Sequence, residues 1–188
     1  MAAGFRIDKR RNDWRLGRWT AKSLVATRLG MDLGLESPLE LALSISHSAG
    51  LAASAAAPAG VAFGCDLELI RALRSATVGH FFTAREQALL ADLEPHDWAV
   101  RGTLIWTAKE AALKALRVGL RLDTRTVEAV PSFEGEPAAW RGLTVTHLPD
   151  GRAFGGWWRR LGDHILSIVA EPAASVPVMD ETLARNAP

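Results

Sequence analysis

Trp98, Gly102, Ile105, Lys109, Leu113 and Leu116 succeed one another by four, three, four, four and three residues, the spacing of a single helical stripe. This pattern predicts a long helix that begins near Pro95, a favourable first-turn residue, and stops before Gly119. Gly102 costs such a helix about 1 kcal/mol relative to alanine. Lys109 interrupts an otherwise apolar face, so its ammonium must snorkel out or find an anion. A bound phosphate would serve. Upstream, the spacing predicts a helix from about Asp13 to Leu29, with Asp13 as N-cap and Gly30 as stop, and a second from Thr83 to about Leu93, with Glu86 at the capping-box position. Short strands are predicted over Leu41 to Ser46 and Val61 to Glu68, the latter after a turn at Pro58 and Gly60. Residues 51 to 56 are mostly alanine, which favours helix over strand, and periodicity alone does not choose extended structure there. Leu143 to His147, Ala153 to Arg160 and His164 to Ala170, set around Asp150-Gly151 and Gly162-Asp163, read as antiparallel strands. From Pro172 onward the chain reads as a loose tail.

Two of these elements carry candidate chemistry. In an extended Gly64-Cys65-Asp66-Leu67-Glu68, the side chains of Asp66 and Glu68 leave the same face and can share a cation. On the long helix Glu110 and Lys114 stand one turn apart, adding a third carboxylate and a cation. Hard ions such as Mg²⁺ are held by one or two carboxylates together with substrate phosphates, and this inventory suits them. Each piece also has a plain reading. A D-x-E is common on solvated strand edges, Glu110 and Lys114 can form a surface ion pair, and Thr107 with Glu110 has the form of a capping box. A helix running through the whole segment leaves Thr107 in its interior, where it cannot act as an N-cap.

Composition narrows the class. With 188 residues, 48% hydrophobic and 23% charged, the chain can bury a core as one domain or two small ones. One cysteine excludes an internal disulfide framework, and the cytoplasm is the natural compartment. No secretion signal is visible, because Met1 to Arg11 is charged rather than apolar. Residues 48 to 65 carry no formal charge, yet Ser54, Pro58, Gly60 and Gly64 break them, and no membrane span is expected. The formal net charge of +1 conceals an asymmetry. Arg6, Lys9, Arg10, Arg11, Arg15, Arg18, Lys22 and Arg28 oppose only Asp8 and Asp13, so the first 30 residues carry +6 and the remainder −5. A cationic helix beside a carboxylate-lined site suits a polyanionic cofactor. A nucleic-acid footprint ranks lower, because the cluster is confined to one segment, and a solvated helix face is the simplest alternative.

Taken together, Gly64 to Glu68 and Trp106 to Lys114 resemble the paired signatures of the 4′-phosphopantetheinyl transferase superfamily, G-[VI]-D-x-E and [FW]-[ST]-x-K-E-x-x-x-K. Ser44-Ile45-Ser46-His47-Ser48 resembles the I-S-H-S block of its surfactin-synthetase-type branch, Phe81 to Glu86 its F-F-[ST]-x-x-E block, and Arg11 to Lys22 its opening basic helix. The similarity spans roughly residues 9 to 170, in the family's order. Three departures stand out. The G-K-P segment that usually precedes I-S-H-S is missing from residues 30 to 43, that region is also short, and Cys65 replaces the usual Val or Ile, a small change because a free cysteine packs as a small hydrophobe.

The resemblance implies an α+β fold of two similar α/β halves related by a pseudo-twofold, with the active site between them and residues 51 to 56 extended. The halves would be 1–76 and 77–172, followed by a flexible tail, 173–188. It implies transfer of the phosphopantetheine arm of coenzyme A to a serine of an acyl, peptidyl or polyketide carrier protein, releasing 3′,5′-ADP, within a monomer. Asp66, Glu68 and Glu110 would hold Mg²⁺. Glu110 would take the serine proton, with Glu86 as a second candidate, and Lys114 would stabilise charge on the phosphates. Ser46, His47 and Lys109, with Arg11, Arg18 and Lys22, would contact the cofactor phosphates, and Trp106 reads as core. A member that binds coenzyme A or a carrier protein without transferring anything is the main alternative. A cysteine hydrolase using Cys65 and His47 is a poorer one, since nothing resembles a nucleophile motif.

Overall fold

The computed structural model describes residues 2–31, 41–136 and 138–179. The segment that lacks G-K-P falls largely on 32–40, and the tail beyond Met179 on 180–188; both lie outside the described residues.

The fold is α+β. Helix α1 (Ala2–Met31) precedes a hairpin of β1 (Leu41–Ser48) and β2 (Leu51–Pro58). Strand β3 (Ala62–Leu69), helices α2 (Ser75–Phe81), α3 (Ala84–Ala88) and α4 (Pro95–Ala115), and strands β4 (Val127–Pro131), β5 (Arg141–His147), β6 (Arg152–Leu161) and β7 (His164–Glu171) follow. The hairpin is a sheet of its own, while the other strands form one antiparallel sheet in the order β3-β7-β6-β5-β4. By hydrogen bonding, the strand with the D-x-E pair therefore belongs with the C-terminal strands: Asp66 lies opposite Ser167 and Glu68 opposite Ile165.

Helix α4 lies across this sheet. Leu104, Ile105, Ala108, Ala112 and Leu113 are buried against Val127, Val145, Phe154, Ile165 and Val169. Its alanines let the helix approach closely, and at Gly64 contact becomes backbone to backbone. A Cβ there would stand 2.1 Å from Ala111 O and 2.9 Å from Lys114 Cβ. Only glycine permits this approach, which sets the Glu110–Lys114 turn beside β3.

Several boundaries differ from the sequence expectation. Helix α1 begins at Ala2, so Asp13 lies within the helix rather than at its N-cap position; residues 2–12 are rich in alanine, arginine and lysine, all good helix formers. Helix α3 is shorter than predicted: after Ala88 the chain tightens, with Leu90 and Ala91 N–H donating to the carbonyls three residues back, and Asp92 takes φ 57°. Residues 51–58 are extended despite their alanines, because they pair with β1 along their whole length. Strand β4 and helix α2 were not anticipated. Part of the expected tail is anchored: Trp157 Nε1 donates to Ala174 O at 3.1 Å, and Arg159 Nη1 contacts Met179 Sδ. Among the described residues no helix is long and apolar enough to cross a membrane.

Candidate active site

Strand β1 presents its alternation in reverse. Leu43 and Ile45 are exposed by 45% and 37%, while Ser44 and Ser46 are buried. The serines face β3, which is an edge strand of the larger sheet. Ser44 Oγ accepts from Cys65 N–H at 2.9 Å and Ser48 Oγ from Leu69 N–H at 3.2 Å, so hydroxyls satisfy outward donors of that edge. The row continues on the carboxylates. Ser46 Oγ donates to Asp66 Oδ1 at 2.7 Å and Ser48 Oγ to Glu68 Oε2 at 2.8 Å.

Lys114 closes the group from α4. Its ammonium donates to Asp66 Oδ1 at 2.8 Å, to Cys65 O at 3.0 Å and to Ile45 O at 3.3 Å, joining β1, β3 and α4 at one point. Asp66 Oδ1 thus receives both donors, whereas Asp66 Oδ2 and Glu110 Oε1 are buried without a hydrogen-bond partner. Burial, and then the negative charges of Asp66 and Glu68, push the Glu110 carboxyl up to about 7 against the pull of Lys114. The three acids lie within electrostatic reach of one another. Among the described residues, no three His, Cys, Asp or Glu side chains stand close enough to enclose a metal as they lie. Two orphaned oxygens and a carboxyl destabilised by its acidic neighbours nonetheless fit a cation, which would supply the missing partner.

Other predicted site residues go elsewhere. Lys109 does not reach a phosphate: it is fully buried, and its Nζ donates to Glu86 Oε2 at 2.5 Å and to Val127 O at 2.6 Å. The anion that the inward lysine requires is a protein carboxylate. Glu86 is likewise excluded as a base. Its carboxylate also accepts from Thr83 N–H at 2.8 Å, in a complete capping box, and from Ala129 N–H at 2.8 Å. Burial pushes Glu86 up and Lys109 down, each opposed by the charge of the other. Ser46, expected on the cofactor phosphates, is buried on Asp66 instead. His47, its neighbour, leaves the opposite face of β1 and is exposed toward α1: a Cβ at Gly17 would stand 3.1 Å from Ile45 Cγ2 and 3.8 Å from His47 Cδ2. Arg11, Arg18 and Lys22 are exposed on that helix, with the Arg18 guanidinium 5.0 Å from the Trp14 ring centroid. The basic helix and His47 therefore share one side of the hairpin, and the serines and carboxylates the other. Thr107 lies inside α4, its hydroxyl paired with Leu104 O and Ser167 Oγ, so no capping box recruits Glu110. Trp106 packs against the core, edge-on to Phe81 at 5.5 Å between centroids.

Sequence reasoning missed Arg117. It lines a cleft of about 540 Å³ with Lys114, Ser44, Ile45 and Phe63. Its backbone is left-handed, φ 59°, and α4 ends there with Arg117 N–H on Lys114 O and Val118 N–H on Leu113 O. This termination usually uses glycine, so nothing in the residue pattern signals that Arg117 turns beside Lys114.

The sequence profile described as the 4′-phosphopantetheinyl transferase superfamily matches residues 62–167, more than half of the chain. The chain belongs to that superfamily. The matched region begins at β3 and ends in β7, so it contains Asp66, Glu68, Glu110 and Lys114 but not the serines of β1 or the basic helix. No curated protein shows significant similarity to the chain. Membership makes it a transferase of the phosphopantetheinyl type, and the acidic residues of β3 and α4 lie within the matched region.

Proposed function

We propose that the chain is a Mg²⁺-dependent 4′-phosphopantetheinyl transferase of the surfactin-synthetase-type branch, acting from coenzyme A on a serine of an acyl, peptidyl or polyketide carrier protein. The observation that carries this reading is the pair of orphaned buried oxygens, Asp66 Oδ2 and Glu110 Oε1, in one acidic cluster with Glu68. Asp66, Glu68 and Glu110 would hold the metal, and a bound Mg²⁺ would neutralise charge on the pyrophosphate oxygens.

The residues of the chain do the rest. Lys114, about one-third exposed, and Arg117 border the cleft and offer positive charge to the phosphates. Arg11, Arg18, Lys22 and His47 would receive the nucleotide end from the α1 side. The carrier serine Oγ attacks the phosphorus that bears the pantetheine arm. The bond from that phosphorus to the bridging oxygen breaks, and 3′,5′-ADP leaves with the electron pair. Glu110 in its ionised form takes the serine proton, directly or through a water, since it stands beside both the metal and the attacking hydroxyl. Residues 1–76 and 77–172 would act as two halves of a cytoplasmic monomer, with β3 serving both.

The Lys114–Asp66 ion pair also suits a protein that binds coenzyme A or a carrier without transfer, in which the ammonium would stay on Asp66. Incubation with coenzyme A, Mg²⁺ and a panel of apo carrier proteins, followed by mass spectrometry of the carriers, separates the two. Transfer adds a phosphopantetheine mass to at least one carrier. Asp66→Ala should abolish the addition while circular dichroism stays unchanged; retained labelling refutes the metal assignment.

A further inference from the structure

The serine row of β1 poses a question that edge closure does not answer. Closing β3 requires acceptors at Cys65 and Leu69 N–H, which Ser44 and Ser48 provide. The Ser46 hydroxyl bonds a side chain of β3 rather than its backbone. Among the described residues this hydroxyl bonds only Asp66 Oδ1, from a buried position on a strand that turns Leu43 and Ile45 outward. Ser48 uses its proton in the same way, on Glu68 Oε2.

We propose that Ser46 and Ser48 are positioning residues that select which carboxylate oxygen of Asp66 and Glu68 faces the cation. A carboxylate on a single bond can rotate and present either oxygen. At Asp66 two donors, Ser46 Oγ at 2.7 Å and Lys114 Nζ at 2.8 Å, converge on Oδ1. Oδ2 is left buried and without a partner, as is Glu110 Oε1. The tied oxygen fixes the rotamer and the open one keeps its lone pairs for the metal, the arrangement by which outer partners orient metal ligands. Lys114 is about one-third exposed and can exchange to a phosphate, whereas Ser46 is buried and stays. This inference rests on the metal reading of the acidic cluster and assigns Ser46 to the metal side of the site rather than to the nucleotide.

The test uses the full chain with Mn²⁺ as probe, its free fraction read by electron paramagnetic resonance without coenzyme A, and 3′,5′-ADP binding measured separately without metal. Ser46→Ala should weaken Mn²⁺ binding about 10- to 100-fold, the usual loss for an outer partner, and leave 3′,5′-ADP affinity unchanged. Ser46→Thr keeps the hydroxyl and should retain most Mn²⁺ affinity, while Ser46→Val, the same shape without the hydroxyl, should behave as alanine does. The Thr and Val pair separates the hydroxyl from packing if the smaller variant folds poorly. Ser48→Ala should weaken Mn²⁺ binding as well. Unchanged Mn²⁺ affinity in Ser46→Ala, with weakened 3′,5′-ADP binding, overturns the proposal and returns Ser46 to the nucleotide. Failure of the unaltered chain to bind Mn²⁺ overturns the metal reading itself, a result distinct from a wild-type chain that binds while Ser46→Ala binds equally well.

Discussion

Lys109 Nζ and Glu86 Oε2 meet at 2.5 Å with both side chains wholly out of contact with solvent. The pair ties α3 to α4, and through Val127 O and Ala129 N–H it ties both to β4. It sits one residue before Glu110, so it fixes the rotation of α4 that sends Glu110 toward β3. Removing one partner leaves a buried charge alone, and Lys109→Met should cost about 3–5 kcal/mol in denaturant unfolding. The double variant Glu86→Gln with Lys109→Met should recover a large part of that loss. A single variant as stable as the parent would contradict this account.

Gly64 should tolerate no side chain. In Gly64→Ala the new Cβ would fall 2.1 Å from Ala111 O and 2.9 Å from Ala115 N, both backbone atoms of α4. The helix must retreat from β3, at a cost of about 1–3 kcal/mol or more, and the 2.8 Å contact between Lys114 and Asp66 lengthens with it. Thermal unfolding and carrier labelling should fall together; a variant with wild-type melting and activity would show that β3 and α4 are not held by backbone contact.

Glu110 makes metal-free stability depend on pH. Its carboxyl is raised from an ordinary 4.5 to about 7 in the folded chain, so the folded state holds the proton more tightly than the unfolded state does. The contribution is complete below about 4.5 and is lost as pH rises to about 7. Urea titrations across this window should show the parent losing stability relative to Glu110→Gln, and saturating Mg²⁺ should reduce the loss. Parallel curves for the two proteins would contradict the shift.

Cys65 should be chemically silent. Its thiol is fully buried, donates to Ser44 O at 3.3 Å, and is pushed up to about 11 by burial. An aromatic disulfide reagent should label the native chain negligibly and the denatured chain once. Rapid native labelling would revive a nucleophilic cysteine.

Gly102 offers the opposite case to Gly64. A Cβ there meets Leu73 Cδ1 at 3.5 Å and Leu90 Cδ1 at 4.0 Å, ordinary contact distances. Gly102→Ala should therefore gain up to about 1 kcal/mol through helix propensity, read as a higher melting temperature with activity retained. A loss would mean that α4 depends on flexibility at this turn.

The sequence by itself determined the local periods: the stripe of α4, the extended pair Asp66 and Glu68, the capping box at Thr83 and Glu86, and the burial of Lys109 on an apolar face. These are contacts within a few residues, where backbone geometry dictates which side chains share a side. Only the tertiary structure decided what each buried group meets. It gave Lys109 a carboxylate 23 residues away instead of a phosphate, and it turned the serines of β1 inward onto β3. It extended the alanines of β2 by pairing them with β1, and it let Arg117 adopt a glycine-like backbone at the end of α4. A charge or hydroxyl removed from water must find a partner wherever the fold supplies one. Spacing along the chain states the need, but the packing of distant elements selects the partner.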